Sequence, residues 1–167
     1  MLTDLVQIKT LGDKKRQENE RFRRYLKSYD HSDRILRRIG QGIQDQIDCT
    51  TCANCCKVAT TRLTERDLER LAKAFRVSID KFKNDYTDQS EEEGVILKRT
   101  DKGCVFLDGN LCLIYDNRPS TCEDFPHIVR GNGSIVSRMW EFVDRASYCP
   151  IVYNSLEAFK AETGFTR

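Results

Sequence analysis

Between Lys14 and Tyr29 the chain reads KKRQENERFRRYLKSY, and its few apolar side chains, Phe22, Tyr25, Leu26 and Tyr29, recur at steps of three and four. That period predicts an amphipathic helix with one aromatic stripe. Ser32 can cap a second helix whose apolar face is Ile35, Leu36, Ile39, Ile43 and Ile47. The two helices are expected to form a hairpin leading into a cysteine-rich segment. Beyond it, Thr64 can cap ERDLERLAKAF, with Leu68, Leu71 and Phe75 inward, and Ser78 a short helix carrying Ile79 and Phe82.

The period then changes. After the acidic break SEEEG, VILKR reads as a strand. CVFLDGNLCLIY reads as a β-hairpin turning at Asp108-Gly109-Asn110, and HIVRGNGSIVSRMW as a second hairpin turning at Gly131-Asn132-Gly133. The tail PIVYNSLEAFKAETG reads as a helix, with Pro150 in its first turn and Gly164 near its end. The expected fold is α+β: a small metal-organised domain with an N-terminal helical hairpin and two β-hairpins. Residues 1–48 are the helical extension and residues 49–167 the cysteine-cluster metal-binding domain.

Composition narrows the class. With 39% hydrophobic and 32% charged residues over 167 positions, the chain reads as soluble and globular. No stretch reaches the about 18 apolar residues of a membrane helix. MLTDLVQIKTLGDKK lacks the basic start and apolar run of a secretory leader. A cytoplasmic protein with no membrane partner is therefore expected. Net charge is only +2, but residues 1–40 carry eleven Lys/Arg against six Asp/Glu. Arg16, Arg21, Arg23 and Arg24 could meet nucleic acid, yet Glu18 and Glu20 interrupt them, and a solvated face is the favoured reading.

The chemistry lies in eight cysteines, which a reducing compartment disfavours as disulfides. CTTCANCC places Cys49, Cys52 and Cys55 at C-x2-C-x2-C spacing, the wrapping loop of cubane iron–sulfur clusters, whose fourth cysteine is remote and precedes proline. Cys149-Pro150 has that form. A single zinc also accepts C-x2-C. Cys56 argues for more, because neighbouring side chains diverge and suit two adjacent centres or one larger cluster. One partition of the expected metal ligands is Cys49, Cys52, Cys55 and Cys149 around one centre, with Cys56, Cys104, Cys112 and Cys122 around another. His31 and His127 are too few for a histidine-rich zinc hydrolase site.

CTTCANCC followed by CVFLDGNLCLIYDNRPSTCEDFP resembles the YkgJ-like cysteine-cluster family, described as zinc- or iron-chelating and marked by CxxCxxCC. The matching positions are Cys49, Cys52, Cys55, Cys56, Cys104, Cys112, Ile114-Tyr115, Arg118-Pro119, Cys122 and Phe125-Pro126, over roughly 49 to 150. Glu123-Asp124 stands where relatives usually carry a basic residue. The resemblance implies a metal centre. A related domain in flagellin lysine N-methylases makes methyl transfer one activity to consider.

Two functions are expected to compete. In the first, an iron–sulfur cluster, iron or two thiolate centres serve redox or protein-modification chemistry, with a protein substrate or partner. In the second, zinc organises a protein-interaction module without catalysis. Metal storage is a third reading. An enzyme would need a pocket lined from Tyr115, Arg118, Asp124, His127 and Trp140, and the sequence assigns none of them a catalytic role. Arg118 would offset the negative charge of clustered thiolates.

Overall fold

A computed structural model describes residues 1–28 and 33–166. Tyr29 of the aromatic stripe, His31 and the expected cap Ser32 lie outside the described residues. The chain opens with α1 (Leu5–Lys14), α2 (Arg16–Ser28) and α3 (Asp33–Gln44), followed by α4 (Cys49–Cys52), α5 (Asn54–Val58), α6 (Glu65–Phe75) and α7 (Ile79–Tyr86). Six short strands come next: β1 (Thr87–Ser90), β2 (Gly94–Leu97), β3 (Arg99–Thr100), β4 (Gly103–Cys104), β5 (Leu107–Asp108) and β6 (Leu111–Cys112). Helices α8 (Ser120–Glu123), α9 (Ile135–Arg145) and α10 (Pro150–Glu162) complete the chain. Ten helices and three two-stranded antiparallel sheets, among the described residues, make the fold α+β.

Contacts divide the chain into two compact units, Met1–Asp48 with Pro126–Arg167, and Cys49–Phe125. The first unit is all helix. α2 lies mainly against α9 and α3 mainly against α10, so each helix of the expected N-terminal pair finds its main partner in the C-terminal segment. The aromatic stripe is real: Phe22 and Leu26 are buried, and Phe165 meets the rings of Phe22 and Tyr25 at 5.2 and 5.3 Å. Each such buried side chain contributes roughly 1.5–3 kcal/mol by leaving water. Helix α1 is an element the sequence reading did not contain. Asp4 caps it by accepting from the Gln7 amide at 2.8 Å. Gly12 lets α1 approach the end of α9 closely, since a Cβ there would fall 2.5 Å from the Ala146 carbonyl oxygen. Within this unit the Lys160 ammonium is enclosed by Glu18 at 2.6 Å and Glu157 at 2.7 Å.

The expected second β-hairpin is corrected here. Residues 135–145 form helix α9, and Gly131 and Gly133 lie in the irregular segment before it. Ser134 caps the helix by accepting from the Ser137 amide, and Ile135, Met139, Phe142 and Val143 bury one face at helical spacing. The β-branched pairs Ile128-Val129 and Ile135-Val136 around a glycine turn imitate a hairpin over a few residues, but the continuation to Val143 has a period near 3.6.

The second unit is built on α6 and α7, which bury Leu68, Leu71, Ala72 and Phe82 with Leu63, Leu97, Phe106 and Ile114. Phe75, Phe82, Tyr86 and Phe106 form a ring cluster with centroid spacings of 5.1 to 6.5 Å. The expected caps are present, Thr64 on α6 and Ser78 on α7. VILKR supplies β2, paired with β1, and the Asp108-Gly109-Asn110 turn joins β5 to β6 with Asp108 opposite Leu111. Phe106, anchored in the ring cluster, lies between the cysteine strand β4 and that hairpin. A rigid aromatic core therefore fixes where Cys104 and Cys112 emerge.

Candidate metal centre

Seven of the eight cysteines lie in the second unit, and none of the eight forms a disulfide. Two short helices carry the CTTCANCC segment. Ala53, in the left-handed region at φ 48°, separates α4 from α5, so Cys49 and Cys52 sit on one helical turn and Cys55 and Cys56 on the next. Cys104 is on β4, Cys112 on β6 and Cys122 on α8.

Several contacts bring these elements together. Gly103, with φ +125°, lets β4 approach α5: a Cβ would stand 2.6 Å from the Cys56 carbonyl oxygen and 2.9 Å from Lys57 Cα. The Arg99 guanidinium donates to the carbonyls of Ala59 and, at 2.6 Å, Lys57, closing the C-terminal end of α5 with a positive charge. Asn110, at the hairpin turn, donates to the Thr51 carbonyl at 2.8 Å and accepts from Lys57 Nζ at 2.6 Å. Thr61 Oγ1 stands 3.5 Å from Cys122 Sγ, and Thr121 donates to the Arg62 carbonyl at 3.1 Å.

The electrostatics connect the thiols. A hydrogen bond with Cys55, sulfur to sulfur 4.0 Å, lowers the Cys56 thiol to about 7; burial opposes this, and the charges of Arg118 and Lys57 assist it. Burial pushes Cys122 up to about 12, against the Thr61 hydrogen bond, and negative charge on Cys56, Cys104 and Cys112 adds to the rise. Burial likewise raises Cys104 and Cys112, each of which also senses Cys56. Cys56, Cys104, Cys112 and Cys122 thus lie within one another's fields, although α5, two hairpin strands and α8 supply them. Arg118 faces this group. Its guanidinium stacks 3.7 Å over the half-exposed ring of Tyr115, and its Nε donates to the Tyr115 carbonyl at 2.9 Å.

The donor set suits a thiophilic cation in kind: it is all sulfur, partly buried and bordered by the guanidinium groups of Arg118 and Arg99. Among the described residues no three Cys, His, Asp or Glu side chains stand grouped tightly enough to hold a metal ion as they are. Staggered rotation about χ1 carries a cysteine sulfur about 3 Å, so a change of rotamer alters which sulfurs stand together. Cys55 and Cys56, expected to diverge as neighbours, instead hold their sulfurs close together. Their 4.0 Å separation is close to the about 3.8 Å edge of a tetrahedron of sulfurs at zinc–thiolate distance.

The family described as CxxCxxCC, "Putative zinc- or iron-chelating domain", matches residues 48–150, more than half of the chain. This chain belongs to the CxxCxxCC family. The CxxCxxCC match contains all eight cysteines, spans the whole of the second unit and continues through α9 to Pro150. No curated protein and no solved structure matches the chain. Membership assigns zinc or iron chelation to the domain over residues 48–150.

The remaining expected site residues fall in both units. Tyr115 and Arg118 come together, and Asp124 ends α8. Cys149, His127 and Trp140 belong to the first unit: Cys149 is buried at the start of α10, His127 has φ 68°, and Trp140 is exposed on α9. Sequence reading missed Thr61, Asp67, Arg99 and Gly103. Asp67 carried a local signal, the Thr64-x-x-Asp67 capping box, whereas the partners of the other three are set by tertiary contacts. Among the described residues no helix is long and apolar enough to cross a membrane.

Proposed function

We propose that the chain is a metalloprotein whose second unit holds more than one metal ion on cysteine thiolates, as an iron–sulfur cluster or two adjoining centres, for redox or protein-modification chemistry. The observation that carries this reading is the convergence of Cys56, Cys104, Cys112 and Cys122 from four separate elements beside the Cys49, Cys52 and Cys55 segment. Seven thiolates exceed what one tetrahedral ion accepts. When bound, such a centre supplies electron transfer or Lewis acidity. The chain's own residues hold it, bury it on the Phe106 side and set Arg118 against its negative charge. Tyr115, Leu111 and Leu113 are exposed on the same unit and supply an apolar surface for a protein substrate.

The test is purification without oxygen and without a metal-binding tag, followed by a visible spectrum and analysis for iron, zinc and sulfide. Absorption at about 400 nm with comparable iron and sulfide is the expected result. Cys104→Ser, Cys112→Ser and Cys122→Ser should each lower metal content, and unchanged content in all three counts against the ligand set. The 4.0 Å spacing of Cys55 and Cys56 favours a second reading, a zinc-organised interaction module. A colourless protein carrying zinc alone would establish that one instead.

A further inference from the structure

One carboxylate in the second unit caps two helices at once. Asp67 is 2% exposed and receives five hydrogen bonds. Oδ2 accepts from the Thr64 amide at 3.1 Å, Thr64 Oγ1 at 2.7 Å and Ser120 Oγ at 3.0 Å. Oδ1 accepts from the Ser120 amide at 3.0 Å and from Arg70 Nη2 at 3.1 Å. The Thr64 bonds complete the capping box of α6, an ordinary local duty. The Ser120 bonds serve a different element, the first turn of α8, two residues before Cys122. Arg70, held by the same carboxylate, donates at 2.6 Å to the carbonyl of Arg118.

Residues 118–122 are also held by buried Pro119 and by two side-chain bonds, Arg118 Nε to the Tyr115 carbonyl and Thr121 Oγ1 to the Arg62 carbonyl. Pro119 supplies no amide hydrogen, α8 is four residues long, and its start has no side-chain cap of its own. An isolated turn of that length is not stable by itself. The packed helix α6 therefore transmits its position to the Cys122 turn and to the Arg118 backbone through Asp67 and Arg70. Thr61, 3.5 Å from Cys122 Sγ, fixes the other side of the thiol.

Building on the metal reading above, we infer that Asp67 is a positioning residue of the metal centre, holding Cys122 and Arg118 in place through Ser120 and Arg70. It touches no ligand atom; it orients the segment that does. Outer partners of this kind set metal affinity by about ten- to a hundredfold.

The experiment compares the full chain with Asp67→Asn, Ser120→Ala and Thr64→Ala. Zinc(II) affinity is measured by competition with a chromophoric chelator, cobalt(II) spectra report ligand geometry, and urea unfolding reports stability. Thr64→Ala removes the α6 cap while leaving the Ser120 and Arg70 arms, so it should lose stability and keep zinc affinity and cobalt bands unchanged. Asp67→Asn should bind zinc about tenfold or more weakly and alter the cobalt bands. Ser120→Ala, which keeps α6 capped, should shift both in the same direction and decides the matter if Asp67→Asn fails to fold. Zinc affinity and cobalt bands of Ser120→Ala and any folded Asp67→Asn that match Thr64→Ala would overturn the inference. If the unaltered protein takes up neither metal, this inference fails, while the iron–sulfur reading is decided separately by the iron and sulfide analysis.

Discussion

Two side chains show how the second unit manages charge. Arg118 has its guanidinium stacked on Tyr115, beside Cys56 and Cys112. Removing it leaves a thiolate-rich centre without the positive charge that acts on both Cys56 and Cys112. Arg118→Ala should weaken zinc retention by about tenfold, measured by chelator competition, and unchanged affinity would assign the residue to surface stacking alone. Asp67 is the opposite case, a negative charge kept inside. Burial works to raise its carboxyl, but the hydrogen bonds from Ser120 and Thr64 overcome this and hold it at about 2. A carboxyl lowered in the folded state stabilises the protein above its ordinary titration range, and the contribution is lost as pH falls through the folded value. The loss should amount to about 2 kcal/mol between pH 5 and pH 2, read by urea unfolding as the difference between the unaltered protein and Asp67→Asn. Asp67→Asn should flatten that part of the profile, and an unaltered slope would refute the assignment.

Among the elements, the approach of β4 to α5 is the tightest fit in the site. Gly103→Ala meets two penalties, a φ of +125° and a backbone clash with Cys56 and Lys57. A loss of about 2–3 kcal/mol in urea unfolding is expected, together with displacement of Cys104 from Cys56 and lower metal content. A variant with wild-type stability and metal content would show that this approach is unimportant. Elements also show what the sequence discloses. Helices α6, α7 and α10 were legible because their signals are local: Thr64, Ser78 and Pro150 begin them, and Gly164 follows the last. The cysteine hairpin was legible from Gly109 and Asn110. Helix α9 was misread because β-branched residues beside a glycine turn suit both periods over so short a stretch. The second duty of Asp67 was invisible, since Ser120 lies 53 residues away and nothing local records the pairing.

For the whole molecule, the two units differ in what stabilises them. The first buries extended helix faces, among them Phe22, Leu36, Met139, Phe142, Leu156 and Phe159. In the second, four of six strands are two residues long, and the thiols are brought together from α5, β4, β6 and α8. Metal should therefore supply folding free energy mainly to residues 49–125. Chelator treatment followed by amide hydrogen exchange should show protection lost first in that stretch while α2, α3, α9 and α10 retain theirs. Simultaneous loss in both units, or in neither, would contradict this.

The division of the chain also sets an order in time. Helices α1, α2 and α3 are made before residues 49–125, whereas their main partners α9 and α10 follow only after that stretch has been made. At about 5–20 residues per second, the apolar faces of α2 and α3 wait for several seconds. The cysteine-bearing unit is continuous and can collect its ions during that interval. Newly made chain therefore has its metal-binding half ready before its helical half can close, and Phe22, Leu26 and Leu36 are surfaces a chaperone would meet in the meantime.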